Sequence, residues 1–439
     1  MSSIPARKPD NGLPIRYALV AWLLVLSAVA YLDRTNISIA GVEIGKEFKI
    51  DHAHLGWVFS AFLIGYACFQ IPGGVLARRF GPRVVLAISV TWWGLFTALT
   101  ALAPPGIRGA LLLLILIRFS LGAGEAIMYP AATQFVERWF PIGERGKANG
   151  IIFGGVGLGA GLTPPLLTAI ILRYGWRISF WFCAIAGVLA GLVWYLAARD
   201  TPEEHRLVHA GELECIASGR GDPQTRPAPA ASQSERKPGV PWKRIFLSRE
   251  VLAVTLSYFT YGYVAWIFFS WFYIYLAEVR GLNLKTSALY SMLPFIAMTL
   301  GSLIGGAASD WLTRNLSARA GRCYLPAFAL SCTAVLLLVG SRAHDVQVAS
   351  IVLACGAGAL YLSQSCFFSV TADFAGEHAG VVSGAMNMGG QVGGAVTASL
   401  TPLIAAHFGW EASFLVATMF ATLGALAWLV VNPNARLSS

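Results

Sequence analysis

ALVAWLLVLSAVAYLDRTNISIA, residues 18–40, is the stretch on which the reading of this chain turns. It is long enough to cross the roughly 30 Å of a bilayer's hydrocarbon core, for which about 20 helical residues suffice, yet it holds Asp33 and Arg34 side by side well inside its length. A second apolar stretch, residues 110–135, carries Arg118 and, seven positions on, Glu125. A charge at the bilayer centre costs from about 2.5 kcal/mol upward. Four ionisable groups at that depth therefore point to a solute or proton path, the alternative being a buried ionic cluster that only fixes helix packing.

The rest of the chain repeats the pattern. Of 439 residues, 56% are hydrophobic and only 12% charged, and mean hydropathy is +0.63, far more apolar than an ordinary soluble domain. Twelve apolar spans are expected between residues 18–40 and 411–431, which predicts an all-α polytopic membrane protein of two six-helix bundles. The bundles are assigned to residues 1–198 and 251–439. Residues 199–250, which include Pro-Ala-Pro-Ala-Ala-Ser-Gln-Ser, read as a cytoplasmic surface linker with one short amphipathic helix.

Charge placement sets the expected orientation. Arg7, Lys8, Arg16, Arg78, Arg79, Arg83, Arg138, Arg145, Lys147, Arg314, Arg319 and Arg322 fall on one side if both termini are cytoplasmic, and the other side receives fewer cations. The net charge of +10 then needs no nucleic-acid partner. No cleavable signal peptide is expected, because the polar start runs straight into a span that keeps its charges. The seven cysteines show no metal or redox spacing, and the seven histidines fall in loops or at span ends. Neither a metal site nor a cofactor is expected, and no nucleophile and base are arranged for enzyme chemistry.

Two copies of one unit are visible. Gly73-Gly74 with the following Arg78-Arg79-Phe80-Gly81-Pro82-Arg83 is echoed by Gly305-Gly306 with Asp310 and Arg314, each glycine pair expected at a helix end. Tyr174-Gly175-Trp176 is echoed by Phe408-Gly409-Trp410. Repeated halves suit an alternating-access carrier.

At these residues the chain resembles the major facilitator superfamily. Tyr31-Leu32-Asp33-Arg34-Thr35-Asn36, Gln70-Ile71-Pro72-Gly73-Gly74, and Arg118-Phe119-Ser120-Leu121-Gly122-Ala123-Gly124-Glu125-Ala126 with Tyr129-Pro130 look like its anion:cation symporter family. That family includes galactonate, glucarate, hexuronate, tartrate and phthalate permeases and the sialin-like carriers. The likeness departs at Arg78, where the family's first cytoplasmic loop has an acidic residue, whereas Asp310 keeps the counterpart in the second half.

The resemblance implies proton-coupled uptake of an organic anion, a sugar acid or another carboxylate such as an aromatic acid. It implies that Arg34 binds the anion, that Asp33 and Glu125 couple protons, and that Arg118 gates or couples. It places Tyr31, Tyr66 and Asn387 at the substrate. From the residues themselves, a guanidinium that cannot lose its proton is suited to a substrate carboxylate, and a buried carboxylate is most cheaply neutralised by a proton, which makes Asp33 a proton carrier. Arg118 is expected to meet Asp33 or a helix carboxyl end. Gln391 lies one turn from Asn387 and could bind substrate or join helices; Gln364 is a further donor. Tyr258, Tyr261, Tyr263 and Trp266 read as an aromatic outer gate or a membrane aromatic belt. The glycines from Gly154 to Gly161 are expected to allow close helix approach and bending, and also to leave room in the cavity for a bulkier cargo. The alternative function is a facilitator or antiporter of organic anions without proton coupling. The expected setting is a bacterial cytoplasmic membrane, with lipid as surroundings and the monomer as working unit.

Overall fold

The computed structural model describes residues 14–141, 144–218, 248–375 and 379–435. The first bundle is built from α1 (Ile15–Phe48), α2 (His52–Phe80), α3 (Pro82–Leu102), α4 (Ala110–Glu125), α5 (Met128–Trp139), α6 (Arg145–Tyr174) and α7 (Trp176–Ala197). After the short α8 (Ala210–Ser218) come α9 (Arg249–Ser270), α10 (Leu284–Asn315), α11 (Leu325–Arg342), α12 (Val346–Leu362), α13 (Gln364–Ala375), α14 (Ala379–Phe408) and α15 (Trp410–Val430). No strand occurs among the described residues. Eleven helical segments among them are long and apolar enough to cross a membrane, with α4–α5 and α12–α13 each counted as one. The twelfth crossing is α14, whose apolar run is diluted by Asn387, Gln391 and several glycines.

Helix ends follow local chemistry. Asp51 caps α2 by accepting the His54 N–H at 2.8 Å, which holds the Asp51 carboxyl below its ordinary range. Asn283 and Asp345 cap α10 and α12 in the same way. Gly175 (φ 85°, ψ 162°) and Gly409 (φ 83°, ψ 163°) take the same left-handed turn between the last two helices of their bundles, a conformation that disfavours any other residue. The repeat visible in the sequence is thus repeated in backbone angles.

The glycine pairs are a correction. Gly73-Gly74 and Gly305-Gly306 stand inside α2 and α10, which continue to Phe80 and Asn315. Gly73 is needed for packing, since a Cβ there would lie 2.8 Å from the Ile127 side chain. The span expected at residues 346–370 is likewise divided, by a turn at Ser363.

Each bundle has its own apolar interior, with Trp93, Trp139 and Trp194 in the first and Trp428 in the second, all fully buried. The outer surfaces expose large apolar side chains such as Ile88, Leu196 and Leu303, as lipid-facing helices do. Trp271 and Ile274, just beyond α9, press into the first bundle's interior.

Because the helices alternate in direction, Pro14, the α2–α3 turn and Val431 share one face, here termed the terminal face. Contacts between the bundles gather towards the opposite face. There His52 pairs with Glu278 at 2.8 Å, and Thr168 and Tyr273 share a hydrogen bond of 3.3 Å. Ser60 donates to the Ala395 carbonyl at 2.6 Å, and Gly56 lets α2 meet the Ala398 carbonyl so closely that a Cβ would sit 2.4 Å from it.

On the terminal face, α8 is the short helix expected in the linker; residues 219–247 lie outside the described residues. Its Glu212 carboxylate accepts the backbone N–H groups of Ile15 and Arg16 at 3.1 Å and pairs with the Arg16 guanidinium at 3.2 Å. Arg16 also pairs with Glu144 at 3.2 Å. An acidic side chain at a helix amino end satisfies free N–H groups and the helix dipole together, so α8 is fastened to the first bundle.

Candidate functional site

The midsection of α1 is buried from Asp33 to Ala40, which is unusual for a surface helix and follows from its position inside the first bundle. Neighbouring residues point about 100° apart on a helix. Asp33 therefore turns towards α3, where the Thr97 hydroxyl donates to its Oδ2, and Arg34 turns towards α4, where its Nε pairs with Glu125 Oε1. Both ion-pair partners are almost wholly buried.

Two sequence features bring Glu125 there. Pro130 has no N–H and cannot accept a normal helical neighbour at Ala126, so the span breaks between α4 and α5 directly after Glu125. Gly65 and Gly122 then let α2 and α4 cross at backbone contact, a Cβ on Gly122 lying only 2.0 Å from the Phe62 carbonyl oxygen. Gly122→Ala is expected to cost about 1–3 kcal/mol through overpacking and to lower the thermal unfolding midpoint in detergent. An unchanged midpoint would mean the crossing tolerates separation.

The crossing places aromatic faces around the cations. The Arg34 guanidinium carbon is 4.6 Å from the ring centres of both Tyr31 and Tyr66 and 5.5 Å from that of Phe62. The Arg118 guanidinium carbon lies 5.0 Å from the centre of the same Phe62 ring. Tyr129 is within electrostatic reach of Arg34 and shares a 2.8 Å hydrogen bond with Ser27. Cation–π contact partly replaces water around a desolvated guanidinium.

It does not complete the site. Asp33 Oδ1, Arg34 Nη2, Arg118 Nε and Nη1, and Glu125 Oε2 are buried without a hydrogen-bond partner. Such atoms are costly to leave unmatched, and their concentration at one point is what a transient charged guest would relieve. Two carboxylates and two guanidiniums have formal charges that sum to zero there.

The expected residues divide accordingly. Asp33, Arg34, Arg118, Glu125, Tyr31 and Tyr66 are brought together. The expected counter-ion of Arg34 was an incoming carboxylate; the structure supplies Glu125, because the helix break and the glycine crossing turn that side chain inward. Arg118 forms no hydrogen bond to Asp33 or to a helix carboxyl end among the described residues, although the two charges are within electrostatic reach. Asn387, Gln391 and Gln364 are half-buried on the second bundle and make no hydrogen bond to the Arg34 group among the described residues.

The glycine run serves the close helix approach expected of it. Cβ atoms on Gly155 and Gly159 would meet α1 carbonyls at 2.3 Å, and one on Gly157 would meet Thr299 Oγ1 at 1.9 Å. These three are consumed in helix contact and add no room for cargo, whereas a Cβ on Gly154 would meet nothing within 4 Å. Thr97 and Phe62 were not legible as site residues, since a threonine or phenylalanine in an apolar span is ordinary and only the fold reveals its neighbour.

The family model of the Major Facilitator Superfamily matches residues 23–398. Over 426 residues the chain is 33% identical to a probable sulfoacetate transporter of Cupriavidus necator, covering 97% of this chain and 95% of that protein. It is 27% identical over 417 residues to a hexuronate transporter of Bacillus subtilis, covering 93% of each. A crystal structure of a bacterial homolog of the human lysosomal transporter Spinster, inward-facing and occupied, has a TM-score of 0.76 at 16% identity over 95% of this chain and 97% of that one.

Proposed function

We propose, from the premise that this chain belongs to the Major Facilitator Superfamily, that it takes up an organic anion together with protons along a path between its two bundles. The observation that carries the reading is the buried Arg34–Glu125 pair, with unmatched atoms on both partners and on neighbouring Asp33 and Arg118. The relatives' organic-anion cargoes, sulfoacetate and hexuronate, support the class of solute.

In this reading Glu125 and the substrate anion compete for one guanidinium. Protonation of Glu125 frees Arg34, the anion takes the vacated place against Nε and Nη2, and the site returns to neutral. Asp33, held by Thr97, is the second proton carrier, and Arg118 offsets its charge at a distance. Neutralisation allows the bundles to close over the occupied site, since a buried unpaired charge would oppose closure. One proton per monoanion moves no net charge; a second would couple uptake to the membrane potential at about 2.3 kcal/mol per charge per 100 mV.

The excess of Lys and Arg near the terminal face supports placing both termini in the cytoplasm of a bacterial inner membrane. The contacts gathered at the opposite face then make the described arrangement one that faces inward. A path contained within one chain supports function as a monomer.

Proteoliposomes with a trapped pH indicator test the reading. Adding sulfoacetate or galacturonate outside is expected to acidify the lumen while the labelled anion enters, and an imposed inward proton gradient is expected to drive accumulation. Entry without proton movement would replace symport with facilitated diffusion or exchange. No entry of any carboxylate or sulfonate would remove the anion assignment itself.

A further inference from the structure

On the second bundle, against Tyr31, stands a wall of phenols whose sequence pattern fits either a gate or a membrane belt. Tyr258 and Tyr261 on α9 stack with ring centres 5.1 Å apart, and Tyr361 on α12 lies 5.5 Å from Tyr261. Phe367 braces Tyr258 and Tyr261 from behind at 4.8 Å and 5.5 Å. Gly390 on α14 admits Tyr258, since a Cβ there would lie 2.6 Å from its ring. All three tyrosines are buried, and all three are within electrostatic reach of Tyr31; Tyr258 also reaches Tyr66, and Tyr361 reaches Arg34 itself. Tyr31 of the first bundle packs against the cluster that holds these three tyrosines, so the wall lies in the seam beside the Arg34 group and not outward at headgroups as a membrane belt would.

Two observations give the wall a role. The Tyr261 and Tyr361 hydroxyls interact with each other, yet Tyr261 Oη makes no well-formed hydrogen bond among the described residues, and neither does Arg34 Nη2 on the other side. Buried phenol hydroxyls normally find a partner. The cations of the described second bundle, Arg249, Arg280, Lys285, Arg314, Arg319, Arg322 and Arg342, all lie at or beyond helix ends, so towards the seam it offers neutral donors only. Space beside the cation is also limited: Gly155, Gly157 and Gly159 are spent on helix contact, and Phe62, Tyr31 and Tyr66 crowd the guanidinium.

Resting on the anion reading above, we infer that Tyr261 and Tyr361 hold the far end of a compact, two-ended organic anion. One anionic group sits at Arg34, and a second polar group, two or three bonds away, accepts hydrogen bonds from the phenols. Neutral donors suit an oxygen-rich group of either charge state, because they add no fixed cation for a proton to balance. A site built to donate hydrogen bonds also rejects analogues that lack the acceptor, since its own buried hydroxyls are then left unmatched. A bulky one-ended aromatic acid fits neither the space nor the donors.

The test uses the full chain in proteoliposomes and compounds paired by the presence of the second polar end: sulfoacetate against methanesulfonate, glycerate against propionate, and succinate against butyrate, with benzoate and galacturonate as larger cargoes. The expected result is that one or more two-ended compounds bind at least about tenfold tighter than their one-ended partners and than benzoate. Tyr261→Phe and Tyr361→Phe, which keep the ring and remove only the hydroxyl, are expected to reduce that ratio to about twofold while leaving the one-ended partner's affinity and the thermal midpoint unchanged. Phenylalanine variants that leave the ratio intact, or weaken both members of a pair equally, overturn the inference. So does preferred uptake of benzoate or galacturonate, an outcome in which the anion reading itself survives. Uptake of none of these anions overturns both.

Discussion

Arg34→Ala is expected to abolish anion uptake, with apparent affinity falling by about two to three orders of magnitude. That loss corresponds to the roughly 2–5 kcal/mol typical of truncating one member of a buried hydrogen-bonded charge pair. The change removes the one guanidinium that contacts Glu125 directly and leaves two tyrosine faces without their cation. Binding is read by displacement of labelled sulfoacetate and assembly by monodispersity on size exclusion. Destabilisation is expected too, because Glu125 would be left buried alone, but it can take a proton and become neutral. Arg34→Lys separates the two effects: it keeps the charge and loses the planar pair of donors, so the carrier stays assembled while affinity drops at least about tenfold. Unaltered affinity in either variant would show that the anion is held elsewhere.

Glu125→Gln should separate binding from pumping. The amide imitates the protonated acid and releases Arg34, so anion binding and exchange of labelled for unlabelled anion are expected to persist or to strengthen. Accumulation driven by a proton gradient is expected to fall at least about tenfold, since the group that must gain and lose a proton is gone. Accumulation at the normal rate would assign coupling to another group, with Asp33→Asn as the direct comparison. The sign also differs with outside pH. Wild-type binding weakens as pH rises and Glu125 reclaims Arg34, whereas binding to the glutamine variant is flat over the same range.

The chemistry of the site was largely legible in the sequence, because charged residues inside apolar spans are rare enough to be read individually. Asp33, Arg34, Arg118 and Glu125 could all be named without a structure, as could the divergence of Asp33 from Arg34 by helix geometry. Their pairing could not. Glu125 stands 91 positions from Arg34, and its direction depends on where Pro130 breaks the span and how closely Gly122 allows α2 to approach. The same ambiguity leaves Gly155, Gly157 and Gly159 with two readings in the sequence, close helix approach and cavity room. A glycine on a cavity wall and a glycine under a crossing helix are identical in sequence; only the neighbour, here α1 or Thr299, distinguishes them. The tyrosines of α9 were ambiguous for a related reason, since an aromatic run has no sidedness until its helix is rotated into place.

The joints at the opposite face also carry a consequence for reversibility. His52 and Glu278 are only partly covered, so their attraction is worth about 0–1 kcal/mol. The Ser60 and Thr168 hydrogen bonds contribute on the order of 1 kcal/mol each. These fastenings together amount to a few kcal/mol, whereas inverting a 1:99 population takes about 5.5 kcal/mol. The polar ties across that face are therefore smaller than such a shift, and under the proposed carrier reading they leave the balance between the two orientations to the apolar contact of Trp271 and Ile274 with the first bundle.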